Sequence, residues 1–315
     1  TIGGLEIFMV DDTIKGLNPQ QANAVQTVDG PMLILAGAGS GKTKVLTCRI
    51  AHLLNQGVRP YRILAITFTN KAAAEMRERV DKMAGEAAKD VWLHTFHAFC
   101  AKLLRIEIHH LGQYTNNFAI YDTTDTKSLM KQILQEMNLD EKRYQPSAVI
   151  GRISNAKNQL QTPEDYAKQA SDFYDGKVAE IYARYEAKLQ QNNALDFDDL
   201  LLLTLKLLQE NEEVRTKYQD KFDYIMVDEY QDTNHAQYLL TKILAAKHKN
   251  ICVVGDADQS IYGWRGADIT NILDFEKDYP EAKLVKLEQN YRSTQVILDA
   301  ANAVIDNNTG RKPKN

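Results

Sequence analysis

The sequence predicts an α/β protein built on a parallel sheet. Short and nearly continuous apolar runs recur along the chain, and segments with helical periodicity lie between them. Continuous apolar runs are typical of strands covered on both faces, as in a parallel sheet flanked by helices. The alternation of such strands with helices is the signature of this fold class.

The apolar runs define the expected strands in order. They are PMLILA (31–36), ILAIT (63–67), DVWLHT (90–95), FAIYD (118–122), YIMVD (224–228), ICVVGD (251–256) and AKLVKLE (282–288). Between about residues 122 and 221 the pattern changes to helical periodicity with no convincing strand. We therefore expect an all-helical subdomain inserted into the α/β core. A merely decorative helical lobe is the alternative.

The composition excludes some classes of protein. Hydrophobic residues make up 44% and charged residues 25% of the 315 positions, as in soluble globular proteins. The net charge of -4 neither supports nor excludes a nucleic-acid partner, because a locally basic groove would suffice. No stretch approaches the roughly 18 apolar residues of a membrane span. Three cysteines without C-x-x-C spacing indicate a reduced, cytoplasmic protein.

A glycine-rich loop follows the first expected strand. AGAGSGKT (36–43) leads directly into the helical segment KVLTCRIAHLL. Its glycines let backbone N–H groups curl inward, and the helix N-terminus adds its positive dipole end to the same concavity. In such a cradle Lys42 would reach the β and γ phosphates and Thr43 would ligate Mg²⁺. Ala36 departs from the strict pattern, which has glycine there. A glycine turn without catalytic meaning is the alternative.

A pair of acids follows another expected strand, in YIMVDEYQD. Asp228 would hold the Mg²⁺ shell, and Glu229 could polarise the attacking water as a general base. A solvated turn is the alternative reading of two neighbouring acids.

The loop GDADQSIYGWRGAD (255–268) places a glutamine, two large aromatic residues and an arginine at the end of a core strand. In the simplest interpretation, Tyr262 and Trp264 fold back and cap the core.

Taken together, the motifs resemble the superfamily 1 DNA helicases of the UvrD, Rep and PcrA type, and the PcrA group most. The resemblance rests on LNPQQANAV (17–25), AGAGSGKT, ITFTNKAAAEM (66–76), HTFHAFC (94–100), LDFDDLL (195–201), VDEYQD (227–232), GDADQSIYGWRGAD and LEQNYRS (287–293). It extends over nearly the whole chain from Leu17 onward. It implies a RecA-like P-loop NTPase core with the helical subdomain inserted.

The resemblance also implies roles in binding ATP. Gln21 matches an adenine-reading glutamine, Tyr291 an aromatic residue that stacks on the base, and Arg292 an arginine that contacts the γ phosphate. Gln259 matches a sensor of the γ phosphate. The nucleotide-binding set is completed by Ala38, Gly39, Ser40, Gly41, Lys42, Thr43 and Lys44.

For single-stranded DNA, the family stacks bases on aromatic residues and steadies the backbone with polar groups. The matching aromatic positions are Phe68, Phe197, Tyr262 and Trp264, and the candidates for polar or backbone contact are Thr67, Asn70, His97 and Arg265. Gln259 and Trp264 share one loop, so a movement of this loop could link hydrolysis to the grip on DNA. Each of these aromatic residues, taken alone, would more often belong to the core.

The expected organisation has five parts. They are an N-terminal extension (1–16, with the segment before Met9 a possible cloning remnant), the first part of the core (17–121), the inserted helical subdomain (122–220), the second part of the core (221–285) and the start of a second RecA-like domain (286–315).

The expected function is that of the N-terminal part of an ATP- and Mg²⁺-dependent 3′–5′ DNA helicase of replication and repair. Its partners would be single-stranded DNA, its junction with duplex, the second RecA-like half and repair or replication proteins. Two alternatives are a catalytically incompetent binding or docking fragment and a P-loop ATPase unrelated to nucleic acid.

Overall fold

The computed structural model describes residues 11–263 and 266–305. Trp264 and Arg265, which the sequence predicts to contact DNA, lie outside these residues. The strands are β1 (Met32–Ala36), β2 (Ile63–Thr67), β3 (Trp92–Thr95), β4 (Ala119–Ile120), β5 (Ala194–Leu195), β6 (Tyr224–Val227), β7 (Ile251–Gly255) and β8 (Lys283–Leu287).

The α-helices of the described residues lie between and beside these strands. They are α1 (Asp11–Ile14), α2 (Pro19–Gln26), α3 (Lys42–Asn55), α4 (Asn70–Ala84), α5 (Phe96–Glu107), α6 (Thr123–Glu136), α7 (Pro146–Asn158), α8 (Pro163–Gln169), α9 (Phe173–Gln191), α10 (Phe197–Glu210), α11 (Glu212–Lys221), α12 (His235–Ala245), α13 (Thr270–Leu273), α14 (Phe275–Asp278) and α15 (Gln295–Ile305). None of the helices in the described part of the chain is long and apolar enough to cross a membrane.

Six strands form one parallel sheet in the order β3-β2-β6-β7-β1-β8. The predicted α/β class with a parallel sheet is therefore confirmed. β1 pairs with β7 from Met32↔Cys252 to Leu35↔Gly255, and with β8 up to Ala36↔Leu287. Because all neighbours are parallel, the loops that follow these strands emerge at one edge of the sheet.

The chain divides into two compact units. The first contains the residues up to Phe96, Thr216–Thr233 and the residues from Thr241 onward, and the second contains His97–Arg215 and Asn234–Leu240. The six-stranded sheet belongs to the first unit. The functional domain boundaries expected from the sequence remain predictions.

The segment FAIYD behaves differently from the other expected strands. Only Ala119 and Ile120 are extended, and they pair with β5 in a separate two-stranded sheet within the second unit. The expectation that this segment belongs to the main sheet was wrong, and β5 was not foreseen. Ala119 is exposed and Ile120 half-buried, so the apolar run is not covered on both faces.

Each unit has its own apolar core. In the first unit, sheet residues such as Ile34, Ala65 and Val254 pack against helix residues such as Val45 and Met76. In the second unit, residues of α6, α7 and α9 supply the cluster, among them Ile133, Ile153 and Tyr182. Burial of these side chains is the main favourable contribution to the stability of either unit.

A buried ion cluster accompanies the second core. The Lys157 ammonium group, fully buried, lies 2.9 Å from Asp196 Oδ2, 2.6 Å from Asp199 Oδ1 and 2.6 Å from Glu186 Oε1. Burial alone would lower the pKa of Lys157, but the three carboxylates raise it well above its ordinary value. Asp196 and Asp199 also form the capping box of α10, so Lys157 holds the start of this helix in place.

Candidate nucleotide-binding site

The glycine-rich loop connects β1 to α3 at the carboxyl edge of the sheet. Gly39 (φ +71°) and Gly41 (φ +87°) have left-handed backbone conformations, which glycine adopts without steric cost. Ala36, which replaces the first glycine of the motif, is the last residue of β1 and is fully buried. The turn is thus made by the glycines that follow it. Helix α3 begins at Lys42, so the free amides of its first turn lie next to the loop.

Helix α2 holds the loop from one side through Gln21. Its Nε2 atom donates to the Ser40 carbonyl at 2.9 Å, and Ser40 Oγ donates to the Gly37 carbonyl at 2.7 Å. Gln21 is only 3% exposed. Its side chain therefore lies inside the site rather than on the free surface.

Asn18 organises this side of the site and was not singled out in the sequence. It caps α2 by a reciprocal pair of hydrogen bonds with Gln21, with Pro19 in the first turn. Asn18 Nδ2 also donates to the Tyr291 hydroxyl at 2.9 Å. The Asn-Pro-x-Gln pattern signals the cap, but nothing in the sequence signals the contact with Tyr291.

The segment after β8 packs on the loop from the other side. Tyr291 N–H donates to the Gly39 carbonyl at 3.0 Å, and Asn290 Nδ2 donates to the Ala38 carbonyl. A Cβ atom added at Gly39 would lie 2.6 Å from the Arg292 Cβ atom. The structure therefore brings Tyr291 and Arg292, both exposed side chains, against the loop. Asn290 is a further residue that sequence reasoning missed.

Lys42 and Glu229 face each other across this edge of the sheet. Lys42 Nζ donates to Glu229 Oε2 at 2.9 Å, with side-chain exposures of 11% and 36%. Glu229 follows β6 and has a left-handed backbone (φ +49°), which is unusual for a residue with a side chain. Its N–H is held by Asp228 Oδ1 at 2.9 Å. Unfavourable conformations of this kind concentrate at functional sites.

Two further carboxylates make this corner strongly acidic. Burial, reinforced by the charge of Glu229, raises the pKa of Asp228 to about 6 and that of Asp232 to about 6. Within the described residues, the buried Oδ1 atom of Asp232 has no hydrogen-bond partner. Lys42 pairs with Glu229, and its charge also acts on Asp228 and Asp232. A divalent cation would offset the negative charge of these three carboxylates.

The other candidates for nucleotide binding occupy varied surroundings. Thr43 is half-buried in the first turn of α3. Lys44 is exposed, and its Nζ atom donates to the Gly16 carbonyl at 2.9 Å. Gln259 lies in a short 3₁₀ turn after β7, where its Nε2 atom donates to Asp256 Oδ2 at 2.6 Å.

The residues of the first unit that the sequence predicts to contact DNA lie at the end of β2 or in the segments that follow β2 and β7. Phe68 is half-buried and packs edge-to-face on Phe96, with ring centroids 5.4 Å apart. Asn70 is exposed at the start of α4, and Tyr262 is 39% exposed. Thr67, by contrast, is 1% exposed at the end of β2. Phe68, Asn70 and Tyr262 therefore offer accessible surface, and Thr67 does not in this conformation.

The DNA candidates of the second unit are His97 and Phe197. Their rings lie edge-to-face with centroids 6.0 Å apart, and Phe197 is 51% exposed at the first position of α10. Burial lowers the pKa of His97, against the opposing charge of Asp198. His97 is therefore neutral at physiological pH and would act through its ring rather than through positive charge.

A glycine loop with left-handed residues connects β1 to α3, and its lysine pairs with an acid that follows β6, two strands away in the same parallel sheet. This arrangement is typical of P-loop nucleotide-binding domains of the RecA-like class. Residues 17–280 match the family described as UvrD/REP helicase N-terminal domain, and the chain belongs to this family.

Curated relatives agree with this assignment. The chain is 57% identical over 309 residues to the ATP-dependent DNA helicase PcrA of Bacillus subtilis, covering 98% of the chain and 42% of the relative. It is 58% identical over 302 residues to the ATP-dependent DNA helicases PcrA of Staphylococcus aureus and Staphylococcus epidermidis, covering 96% of the chain and 41% of each relative. The chain thus spans about two-fifths of the length of these relatives.

Proposed function

We propose that the chain is the N-terminal part of an ATP-dependent DNA helicase that couples hydrolysis of MgATP to 3′–5′ movement along single-stranded DNA. The observation that carries this proposal is the ion pair of Lys42 and Glu229, formed beside a left-handed glycine loop. The PcrA relatives favour this function over a fragment that only binds ligands. A role in replication and repair, in the cytoplasm, is what the family resemblance implies.

The triphosphate of ATP would lie on the glycine loop. Backbone N–H groups and the start of α3 supply positive potential for the phosphates, and Lys42 supplies a full charge. The adenine would lie near Gln21 and Tyr291, which Asn18 links within one side of the site. Arg292, held against Gly39, would add charge at the γ phosphate.

The residues present fit a magnesium ion. Asp228 and the Thr43 hydroxyl are hard oxygen ligands of the kind Mg²⁺ prefers, with the remaining positions left to water and phosphate. The raised pKa values of Asp228 and Asp232 and the unpartnered Asp232 Oδ1 atom support a cation at this corner. When bound, the metal would neutralise charge on the phosphate oxygens.

Glu229 is the proposed general base. Its carboxylate lies beside Lys42, and its backbone is held by Asp228 and by Asp232, whose N–H donates to the Glu229 carbonyl at 2.9 Å. A carboxylate fixed in this way can orient a water molecule and accept its proton. Gln259 would sense the γ phosphate from the turn after β7.

Single-stranded DNA would contact exposed aromatic and polar residues. Phe68, Asn70 and Tyr262 in the first unit and His97 and Phe197 in the second offer rings and polar groups suited to sequence-independent stacking. Trp264 and Arg265 stay predictions from the sequence.

The proposal is tested by ATP hydrolysis with and without oligo(dT), using the protein expressed from its complete gene. Single-stranded DNA should raise the rate by about tenfold or more, and Lys42→Ala should abolish turnover with and without DNA. Retention of most activity by Lys42→Ala would remove the assignment of the glycine loop. Residues 1–315 alone should hydrolyse little ATP, because the family's second RecA-like domain supplies a further arginine.

A further inference from the structure

Gln231 joins the proposed base to the loop after β7 through both ends of its side-chain amide. The Nε2 atom donates to Glu229 Oε2 at 2.8 Å, and the Oε1 atom accepts from the Asp256 backbone N–H at 3.0 Å. Gln231 is 1% exposed, so both hydrogen bonds are shielded from water. A glutamine is needed here, because the position requires a donor at one end and an acceptor at the other.

Close packing fixes the amide in this position. A Cβ atom added at Gly255 would lie 2.6 Å from Gln231 Oε1 and 2.7 Å from Ile272 Cδ1, so the glycine leaves room for the side chain. The Gln231 carbonyl also accepts from Ser260 Oγ at 3.3 Å. The turn that carries Gln259 is thus bonded to the Gln231 side chain through the Asp256 N–H and to the Gln231 backbone through Ser260, so displacement of Gln231 would disturb this turn.

A second tether holds the far end of the same loop. The Thr233 carbonyl accepts from the Asp268 N–H at 2.9 Å and from Asn271 Nδ2 at 3.0 Å. The loop 256–268 is thus bonded at each end to the segment that follows Glu229. Displacement of that segment would therefore move Asp256 and Asp268, the two ends of the loop.

The Glu229 carboxylate accepts hydrogen bonds from two side chains. Glu229 Oε2 accepts from both Lys42 Nζ and Gln231 Nε2, at 2.9 and 2.8 Å. A phosphate that drew the Lys42 ammonium group away would leave Gln231 as the partner of this oxygen. The hydrogen bond from Gln231 Nε2 to Glu229 Oε2 would then strengthen. This would shift the Gln231 amide and, through its Oε1 atom, the backbone of Asp256.

We propose that Gln231 is a positioning residue that passes the state of the Glu229–Lys42 pair to residues 256–263 of the loop after β7, and so couples the phosphate site to Tyr262, a proposed DNA contact. This inference rests on the proposed function.

The test compares Gln231→Met with the wild-type protein expressed from its complete gene. Methionine keeps the volume and removes the hydrogen bonds to Glu229 and Asp256, together with a longer one from Gln231 Nε2 to Asp232 Oδ2 at 3.4 Å. The KM for ATP should stay within about twofold, while the ratio of DNA-stimulated to DNA-free ATPase should fall about fivefold or more. Gln237→Met is the matched control, because Gln237 is also buried (6%) and its hydrogen bonds join it to Asn234 in the cap of α12 rather than to Glu229 or Asp256. It should keep the wild-type ratio.

Two outcomes of this kinetic test would overturn the inference. They are an unchanged ratio in Gln231→Met, whether or not both rates fall together, and the same fall of the ratio in Gln237→Met. Absence of DNA stimulation in the wild-type protein is a different result, since it refutes the proposed function itself.

Hydrogen exchange provides a second measurement that does not depend on turnover. Binding of a non-hydrolysable ATP analogue should change exchange in the peptide 256–263 of the wild-type protein but not of Gln231→Glu. This variant keeps the acceptor for Asp256 and loses the donor to Glu229, so the Asp256 amide should stay protected. An analogue-induced change that persists in Gln231→Glu would contradict the coupling role, even if Gln231→Met does not fold.

Discussion

Lys42 Nζ and Glu229 Oε2 lie 2.9 Å apart, which joins the first residue of α3 to the second residue after the end of β6. The two residues are far apart in the sequence, and the parallel pairing of the sheet brings their strand ends together. A lysine that binds phosphate and a carboxylate that activates water need this proximity. The Lys42–Glu229 pair is therefore the centre of the proposed site.

Glu229→Gln should separate binding of ATP from its hydrolysis. The amide keeps the shape of the side chain but cannot accept a proton, so kcat should fall by about 10²–10⁴-fold while ATP still binds. Fluorescent ATP titration and steady-state kinetics measure the two effects. A variant that hydrolyses ATP at more than a tenth of the wild-type rate would show that another group is the base.

Gly39→Ala should disrupt the contact between the glycine loop and the segment after β8. The new Cβ atom would meet Arg292 Cβ at 2.6 Å and Asn290 Nδ2 at 2.9 Å, and it would carry left-handed strain. We expect the affinity for ATP to fall about tenfold or more, which corresponds to a loss of about 1.4 kcal/mol of binding free energy. Gly30→Ala is the control, since it carries similar strain (φ +81°) with open space around the Cβ atom. Equal ATP affinities in the two variants would refute the role of this contact.

Lys157→Met should strongly destabilise the second unit. Removal of the ammonium group leaves Asp196, Asp199 and Glu186 buried without their common partner, which costs about 3–5 kcal/mol for a broken buried ion pair. Lys168→Met is the control, because the Lys168 side chain is 76% exposed and its ion pair with Asp165 is a surface contact worth about 0–1 kcal/mol. Urea denaturation followed by circular dichroism measures the difference. Similar unfolding midpoints for the two variants would contradict the importance of the cluster.

The three cysteines should not react with alkylating agents in the folded protein. Cys48, Cys100 and Cys252 are buried, and burial raises the pKa of Cys100 to about 12. Because the thiolate is the reactive species, iodoacetamide at pH 8 should label less than about a tenth of these thiols, and all of them in guanidinium chloride. Mass spectrometry of the labelled protein provides the readout. Rapid labelling of Cys100 in the native protein would contradict its placement in the core.

Local patterns predicted the parts of the fold that depend on local forces. The run PMLILA followed by AGAGSGKT was sufficient for β1, the loop and the start of α3, because apolar burial and glycine conformation act within a few residues. FAIYD could not be assigned correctly, since its partner β5 has only two residues and no strand signal of its own. Periodicity does not reveal such a pairing.

Long-range contacts account for the site residues that sequence reasoning missed. Asn290 lies in the motif LEQNYRS, but its contact with Ala38 spans 252 positions in the sequence and has no local sequence signal. Gln231 is adjacent to the predicted acids, yet its bond to Asp256 exists only because β6 and β7 are neighbours in the sheet. Lys157 has the appearance of an ordinary surface lysine in the sequence, and only the structure reveals its three carboxylate partners.

Occupation of the phosphate site is expected to change the affinity for single-stranded DNA, and DNA is expected to change the affinity for the nucleotide. Fluorescence anisotropy of labelled oligo(dT) measures this directly, with the protein expressed from its complete gene in the nucleotide-free state and with a non-hydrolysable ATP analogue. The Kd for DNA should differ by about fivefold or more between the two states, and DNA should change the affinity for the nucleotide by the same factor. An equal Kd in both states, or no binding of single-stranded DNA, would contradict it.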